Sequence, residues 1–386
     1  MFGKTFWMAL CLTGLAACSS LPDAPATAQL PWRDEIFGWD AGALSMSSDE
    51  LFRLDPKLRQ DLQDPAVQRL SAAKRLDHLV ALLYGRALQA FPYAPGHSTP
   101  ATETWQQKRG DCLSLTVLAY AMARALNMRA QMQEVPVAAQ FDRRNSVDFL
   151  SRHVNVLLPR SGALGGTGSR LEADDMIIDF EPQIGSNRLG QALTDQDILA
   201  RYQNNMGAEQ LALEQPNAAY AWFKAAILTQ PKYEASYANL ALLYRRAGLG
   251  ADAETLLRQA VALNDEDTVA LLSLQQLMQE QGRTAEAEAF THLLQSRRDR
   301  DPYHWIALGL KRLQEAQYRE SIRALEQAQR MTHGFTEVHR YLALAYWRAG
   351  ETERAREQLN LLSSLDTDSA DVDMLRKKFN DAPTGR

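Results

Sequence analysis

The sequence predicts an α+β domain followed by an all-α solenoid of helical repeats. In the C-terminal half, small and apolar residues recur every 34 residues, a period typical of stacked helix–turn–helix units. In the middle of the chain, an apolar helical segment precedes two segments in which polar and apolar residues alternate, as they do in strands. The 386 residues, 46% hydrophobic and 23% charged, suffice for two or three globular domains.

The N-terminus has the pattern of a secretory signal. Lys4 precedes an apolar run from Phe6 to Ala17 that ends in small residues, and this run is too short to span a bilayer as a mature helix. Residues 1–17 are therefore predicted to be removed as a signal peptide. Without them, and hence without Lys4, the formal charge changes from −5 to −6, which gives no electrostatic footprint for nucleic acid.

The end of this signal, Leu15-Ala16-Ala17-Cys18, resembles the lipobox of bacterial lipoproteins. The resemblance implies a lipoprotein signal peptide, cleavage before Cys18, and a diacylglycerol on the Cys18 thiol that anchors the protein to a membrane. Ser19 stands where inner-membrane retention usually requires Asp, which favours the outer membrane of a Gram-negative-type envelope, facing the periplasm. The alternative is an ordinary secretory signal in which Cys18 is incidental.

Three further segments are defined by composition. Residues 18–31 are rich in Pro, Ala and Ser and are predicted to be a flexible tether after the lipidated cysteine. Residues 32–64 form an N-terminal extension with short helical and irregular parts, and the sequence leaves open whether it covers an active-site cleft. Residues 65–195 are predicted to form the α+β domain.

Cys112 is the cysteine that this scheme leaves as a free thiol, because Cys11 departs with the signal and Cys18 is acylated. Residues 113–126 are apolar almost all round, as in a buried helix, and Asp111 is a suitable N-cap after Gly110. Cys112 is thus predicted in the first turn of a helix, where the backbone amides favour the thiolate and lower the pKa. The alternative is a small, inert core cysteine.

Two alternating segments follow this helix. Residues 151–159 place His153 and Asn155 on one face of a strand, and residues 174–182 place Asp179 near the end of another. Joined by the glycine-rich stretch between them, these strands are predicted to form a hairpin with His153 beside Asp179. A strand histidine taken alone is more often a surface or core residue.

Helix-borne cysteine, strand histidine and next-strand aspartate, in this order, resemble the transglutaminase-like superfamily, which has a papain-like fold. The resemblance implies that Cys112 is the nucleophile, His153 the general base and then acid, and Asp179 the residue that orients the imidazole. Asn155 and Phe180 depart from the residues common in that family.

One further role follows from this resemblance. Gln106, six residues before Cys112, has the spacing of the oxyanion donor of papain-like proteases. The alternative for Gln106 is an exposed loop amide.

Other chemistries lack support in the sequence. His97 is flanked by Pro and Gly as in a loop, and His78 lies among charged residues of a helix. Motifs for zinc and for phosphate binding are absent from the sequence, so neither a metal nor a cofactor is predicted.

The C-terminal half shows four columns of residues at the 34-residue period. They are Gly248, Gly282, Ala316 and Gly350; Leu240, Leu274, Leu308 and Leu342; Gly207, Ala241, Gly309 and Ala343, broken by Gln275; and Ala219, Ala253, Ala287 and Ala355, broken by Ser321. Small residues let paired helices approach, and glycine at the turn adopts a positive φ at low cost. Glu214 occupies the corresponding turn position of the first unit.

This spacing resembles the tetratricopeptide repeat. About five units are predicted over residues 199–366, with a capping helix and tail over residues 367–386. The resemblance implies a concave surface that binds a protein or peptide partner, and a solenoid that merely supports its neighbour is the alternative. The fold class is thus an α+β papain/transglutaminase-like domain followed by an all-α tetratricopeptide-repeat solenoid.

Together these features predict an envelope-anchored lipoprotein whose cysteine acyl-transfer domain is coupled to a protein-binding scaffold. Hydrolysis, as by a protease, deamidase or amidase, is favoured over crosslinking because nothing in the sequence resembles an amine-binding site. The alternative is a non-catalytic scaffold lipoprotein whose repeats assemble an envelope complex.

Overall fold

A computed structural model describes most of the chain after Leu30. The described residues are 30–40, 46–84, 91–92, 94, 97–135, 140–144, 147–151, 153–159, 175–180, 189–332, 336–365 and 370–381. The predicted signal peptide, the lipidation site Cys18, nearly all of the predicted tether and the glycine-rich stretch at 160–174 lie outside them.

Short capped helices make up the first part. They are α1 (Asp34–Phe37), α2 (Ser48–Leu51), α3 (Pro56–Leu62), α4 (Pro65–Gln68) and the longer α5 (Ala72–Tyr84). The side chains of Ser47, Asp55 and Asp64 accept hydrogen bonds from the first-turn amides of α2, α3 and α4. The chain from residue 65 to residue 84 contains two helices, α4 and α5, and the Ser71 hydroxyl accepts a hydrogen bond from Lys74 N, 3.4 Å away, where α5 begins.

In the part of the α+β region that the structure describes, two more helices and six strands follow α5. They are α6 (Ala101–Gln107), α7 (Cys112–Ala125), β1 (Gln131–Glu134), β2 (Gln140–Arg144), β3 (Val147–Ser151), β4 (Val154–Leu158), β5 (Met176–Ile178) and β6 (Gln191–Leu193). Four strands form an antiparallel sheet in the order β5-β4-β1-β6, and β2 pairs with β3 as a separate hairpin. The predicted antiparallel pairing of the His153 strand with the Asp179 strand is confirmed, since Val156 lies opposite Ile178.

α7 packs on this sheet and is buried almost all round, as its apolar sequence predicts. Met132, Val156 and Ile178 lie in one hydrophobic cluster with Val117 and Leu118 of α7. Alternate residues of a strand point to opposite faces, so Gln133 and Asn155 occupy the other face of the sheet. Both of these amides are also buried, at 1% and 0% exposure.

Among the described residues of the C-terminal half, ten helices form five antiparallel pairs. They are α8 (Asp195–Ala212), α9 (Pro216–Thr229), α10 (Glu234–Arg246), α11 (Gly250–Leu263), α12 (Thr268–Glu280), α13 (Thr284–Arg300), α14 (Pro302–Gln314), α15 (Tyr318–Met331), α16 (Thr336–Arg348) and α17 (Thr352–Leu365). A further helix, α18 (Ala370–Asp381), contacts α16 and α17. It lies where the sequence predicts a capping helix.

The turns within the repeats confirm the predicted glycine column. Gly248, Gly282 and Gly350 have φ values of 76°, 71° and 83°. Ala316 and Glu214, which replace glycine at this position, also adopt positive φ, at 58° and 59°. The repeat geometry therefore imposes the left-handed conformation even on residues with a Cβ, for which it is unfavourable.

In the column that contains Gly207, Ala241 and Gln275, the size and polarity of each residue are matched by the residue sixteen positions later. Gly207 lies against the Phe223 ring, whereas one unit later the same two positions hold Ala241 and Leu257. At the break in the column, Gln275 Nε2 donates to Thr291 Oγ1 at 3.3 Å. A polar pair therefore replaces the small–large apolar pair at this level.

The start of the N-terminal extension docks on the first two repeats. Phe37 stacks on Tyr220 and Tyr244, with ring centroids 4.7 and 5.8 Å apart. Arg33 makes two hydrogen bonds to Asp252, at 2.6 and 2.8 Å. Later described residues of the extension pack into the cluster around α7; they are Leu51, Leu54, Leu58 and Leu62. The extension therefore contacts both the α+β part and the repeats.

Candidate functional site

Cys112 is the first residue of α7, as the sequence predicts. The Asp111 side chain caps the helix, with Oδ1 accepting a hydrogen bond from Ser114 N at 2.8 Å. Gly110 is needed for space rather than for a positive φ, because an added Cβ would lie 2.9 Å from the Ser114 Cβ. Cys112 is buried, at 9% exposure. Its sulfur therefore lies at the helix N-terminus, where backbone N–H groups favour a thiolate.

His153 lies directly before β4 and is paired with Asp179. His153 Nε2 and Asp179 Oδ2 are 2.7 Å apart, and the two side chains are 1% and 8% exposed. A carboxylate that engages Nε2 fixes the orientation of the ring and assigns any acid–base role to Nδ1. The predicted juxtaposition of His153 and Asp179 is therefore present.

The chain path places His153 at the same end of the sheet as the start of α7. After α7 the chain reverses into β1, which runs back along the helix on which it packs. Glu134, at the end of β1, lies opposite Val154, at the start of β4. β4 thus begins near the N-terminus of α7, and His153 directly precedes it.

A direct contact supports this placement. Thr116 Oγ1, on α7, donates to the carbonyl oxygen of Val154 at 3.2 Å. Thr116 lies one turn after Cys112 on the same helix face, and Val154 follows His153. Cys112, His153 and Asp179 therefore lie at one end of the sheet.

Buried amides extend the His153–Asp179 pair across the sheet. Asn155 Nδ2 lies 3.4 Å from Asp179 Oδ2, and Gln133 Nε2 donates to Asn155 Oδ1 at 2.9 Å. Gln133 Oε1 in turn accepts from Gly190 N at 3.0 Å. A Cβ at Gly190 would lie 2.1 Å from the Glu134 carbonyl oxygen, so glycine permits this approach. The row anchors Asp179 to the neighbouring strands.

Tyr84 supports Asp179 from the side of α5. Its hydroxyl donates to the Asp179 carbonyl oxygen at 3.3 Å, and its ring stacks on Phe180 with centroids 5.6 Å apart. Burial, followed by the nearby charge of Asp179, raises the pKa of Tyr84 to about 12. The tyrosine therefore stays neutral near neutral pH and retains its proton for this hydrogen bond.

Gln106 is exposed near the end of α6, and its amide is engaged elsewhere. Gln106 Nε2 donates to Asp55 Oδ2 at 3.2 Å. This hydrogen bond is the largest contribution that lowers the pKa of Asp55. An oxyanion role would require Gln106 to exchange the Asp55 carboxylate for the substrate.

The other histidines considered in the sequence lie outside this cluster. His97 Nδ1 lies 2.8 Å from Glu209 Oε2 of α8, and His78 is a partly buried residue of α5. Within the described ranges, three or more His, Cys, Asp or Glu residues nowhere gather in a way that could hold a metal ion. In the same part of the chain, every helix is too short or too polar to cross a membrane.

Comparison with known proteins identifies the class of the repeats. A family model described as tetratricopeptide repeat matches residues 312–379, which include α15, α16 and α17. The C-terminal part is thus a helical solenoid of the tetratricopeptide type. No curated protein matches the chain.

Solved structures of repeat proteins are also similar to the chain. A structure of pilF from Pseudomonas aeruginosa is 18% identical over 48% of this chain and 85% of that chain, with a TM-score of 0.27. YrrB, described as a TPR protein with an unusual peptide-binding site, is 13% identical over 46% of this chain and 92% of its own, with a TM-score of 0.25. MamA is 16% identical over 49% and 98%, with a TM-score of 0.24.

Proposed function

We propose that this protein is a repeat scaffold that binds a protein or peptide partner through the concave surface of its solenoid. The single observation that carries the proposal is the stack of five helix pairs, of which residues 312–379 match the tetratricopeptide family. Stacked pairs of this kind present an extended concave surface, and we infer that the first helix of each pair lines it.

Site-specific photo-crosslinking tests this surface. A benzoylphenylalanine residue is placed at exposed positions that end the first helices: Arg246, Glu280, Gln314 and Arg348. Control positions, also exposed and related by multiples of 34 residues, lie on the second helices: Arg258, His292 and Asn360. We expect a partner to crosslink to the first set and not to the second, as judged by mass spectrometry of the adducts. Equal crosslinking from both sets would contradict a concave binding surface.

We propose as a second function a cysteine acyl transfer at the start of α7. The observation that favours it is the contact between the side chains of His153 and Asp179, which are 1% and 8% exposed, at the sheet end where Cys112 lies. An imidazole oriented by a carboxylate is the base that a cysteine nucleophile requires.

The proposed reaction is the hydrolysis of an amide. The Cys112 thiolate attacks the carbonyl carbon, and the C–N bond breaks as His153 donates its proton to the leaving amine. The resulting thioester is attacked by a water whose proton His153 accepts, so that an acid is released and the thiolate is restored. Gln106 would donate to the oxyanion only after leaving Asp55. The experiment that tests this function is the pH dependence of Cys112 alkylation, with and without the imidazole of His153.

We further propose that the chain is anchored in the bacterial envelope through a lipid on Cys18, on the periplasmic face of the outer membrane. The proposal rests on the Leu-Ala-Ala-Cys sequence that ends at this residue. Replacing Cys18 by alanine is expected to release most of the protein from the membrane fraction and to abolish incorporation of a labelled fatty acid. Replacing Cys11, within the predicted signal, serves as the matched control and should change neither result. Undiminished labelling of Cys18→Ala would show that another residue carries the lipid.

A further inference from the structure

The first repeat helix, α8, contacts residues that support the start of α7, where the proposed nucleophile Cys112 lies. Glu209, on α8, accepts a hydrogen bond from Ser98 N through Oε1 at 2.9 Å. Asn205, one turn earlier on the same helix, donates from Nδ2 to Ser98 Oγ at 2.9 Å. The backbone N–H and the hydroxyl of Ser98 are thus both held by α8, the first helix of the repeats.

Ser98 also contacts Asp111, the N-cap residue of α7. Ser98 Oγ donates to Asp111 Oδ2 at 2.5 Å, while Asp111 Oδ1 accepts from Ser114 N at 2.8 Å and from Ser114 Oγ at 2.6 Å. Thr99 N donates to Ser114 Oγ at 2.8 Å. Each oxygen of the Asp111 carboxylate is therefore engaged, one by α7 itself and one by the loop that α8 holds.

Ser98, Asp111 and Glu209 are all buried, so the loss of a hydrogen bond among them is costly. Ser98 is 1% exposed, Asp111 6% and Glu209 8%. A buried carboxylate that loses a donor must find another or move, because leaving it unpaired is costly. Asp111 directly precedes Cys112, so a carboxylate released from Ser98 would bring negative charge closer to a thiolate and disfavour it.

His97 and Tyr202 also lie at this junction. His97 is half-exposed and pairs with Glu209 Oε2. Tyr202, on α8, also faces the cluster. Burial, and then the charges of Glu103, Glu209 and Asp111, raise the pKa of Tyr202, so it remains neutral at the pH values of interest.

We propose that Glu209 and Asn205 are positioning residues for Cys112, through which the first repeat completes the start of the nucleophile's helix. The inference rests on the proposed acyl-transfer function, and it makes the repeats part of the catalytic unit. A solenoid that shifts when it binds a partner would then alter the reactivity of Cys112 through Ser98 and Asp111.

A matched pair of variants separates positioning from charge. Glu209→Ala and Glu209→Gln both remove the negative charge, but glutamine keeps an oxygen that accepts from Ser98 N. The measurement, made on the full chain, is the rate at which iodoacetamide alkylates Cys112 between pH 3 and 9, followed at the Cys112 peptide by mass spectrometry. We expect Glu209→Ala to move the acid limb of this profile, where the thiolate forms, about one pH unit higher, so that alkylation at a given pH on that limb slows about tenfold. We expect Glu209→Gln to stay within about twofold of the native rate, since the hydrogen bond is restored.

Additional variants keep the test decisive. Gln210→Ala, at the neighbouring and partly exposed position of α8, should leave the rate unchanged. If Glu209→Ala does not fold, as judged by circular dichroism, Asn205→Ala removes only the donor to Ser98 Oγ and should slow alkylation in the same direction.

Two results would overturn the inference in different ways. If Glu209→Ala and Asn205→Ala fold and react as the native chain does, while replacing His153 changes the pH profile, the positioning role is wrong and the acyl-transfer function stands. If replacing His153 has no effect on the profile, the acyl-transfer function fails and the positioning role fails with it.

Discussion

Replacing His153 by glutamine is expected to make the alkylation rate of Cys112 rise about tenfold for each pH unit between pH 5 and 8, as for an ordinary thiol with a pKa near 8.5. In the native chain we expect a nearly flat rate over this range, because a thiolate paired with an imidazolium is already formed at low pH. The alkylation rate of the variant should therefore change about 100-fold between pH 5 and 7, whereas the native rate should stay nearly constant.

Glutamine is the appropriate replacement because His153 is buried. Its side-chain amide can still donate to Asp179 Oδ2, which His153 Nε2 approaches at 2.7 Å, but it can neither accept a proton nor carry a charge at these pH values. His78→Gln is the matched control, because His78 is a partly buried histidine of α5. This variant should retain the flat profile. A native profile that already rises tenfold per pH unit would show that Cys112 is a core thiol, and the scaffold function would then stand alone.

The repeats could be predicted from the sequence because each of their constraints is local and recurs. Each repeat has a turn that needs a positive φ and a helix pair that needs a small residue, so glycine and other small residues recur every 34 residues. The column positions Ala316, Glu214 and Gln275 depart from the expected residue types. The structure explains them by a tolerated positive φ at the first two and by the Thr291 partner of Gln275.

The His153–Asp179 pair could be predicted because alternation identifies strands and a hairpin brings consecutive strands together. The supporting residues could not. Gln133 and Asn155 are amides, which are usually exposed, and their pairing depends on β1 lying between β4 and β6. Nothing local in the sequence specifies that strand order.

The contacts of α8 with Ser98 could not be predicted from the sequence either, because they depend on tertiary packing. Ser98 and Glu209 are 111 residues apart and lie in segments with different patterns. Asn205 and Glu209 resemble solvated polar positions of a repeat helix, and only the packing of α8 against the α+β part buries Glu209 and partly buries Asn205. The docking of Phe37 against Tyr220 and Tyr244 likewise depends on tertiary packing.

Close packing in the first repeat leads to the largest expected change in stability. A Cβ added at Gly207 would lie 2.5 Å from Phe223 Cδ1, and Phe223 is fully buried. Gly207→Ala should therefore force the helices α8 and α9 apart or push the ring out of its position. Overpacking of this kind costs up to about 3 kcal/mol, and the better helix propensity of alanine returns about 1 kcal/mol. We expect a net loss of about 2 kcal/mol in the free energy of unfolding.

The midpoint of urea unfolding, followed by circular dichroism, measures this loss. Gly250→Ala is the matched control, because its added Cβ would meet no atom closer than 3.6 Å, and it should be neutral or slightly stabilising. A second substitution should rescue the first: Phe223→Leu in the Gly207→Ala background recreates the pair found at Ala241 and Leu257 one unit later. If Gly207→Ala leaves the midpoint unchanged, or if leucine at 223 deepens the loss, the small–large compensation between paired helices is not what sets their spacing.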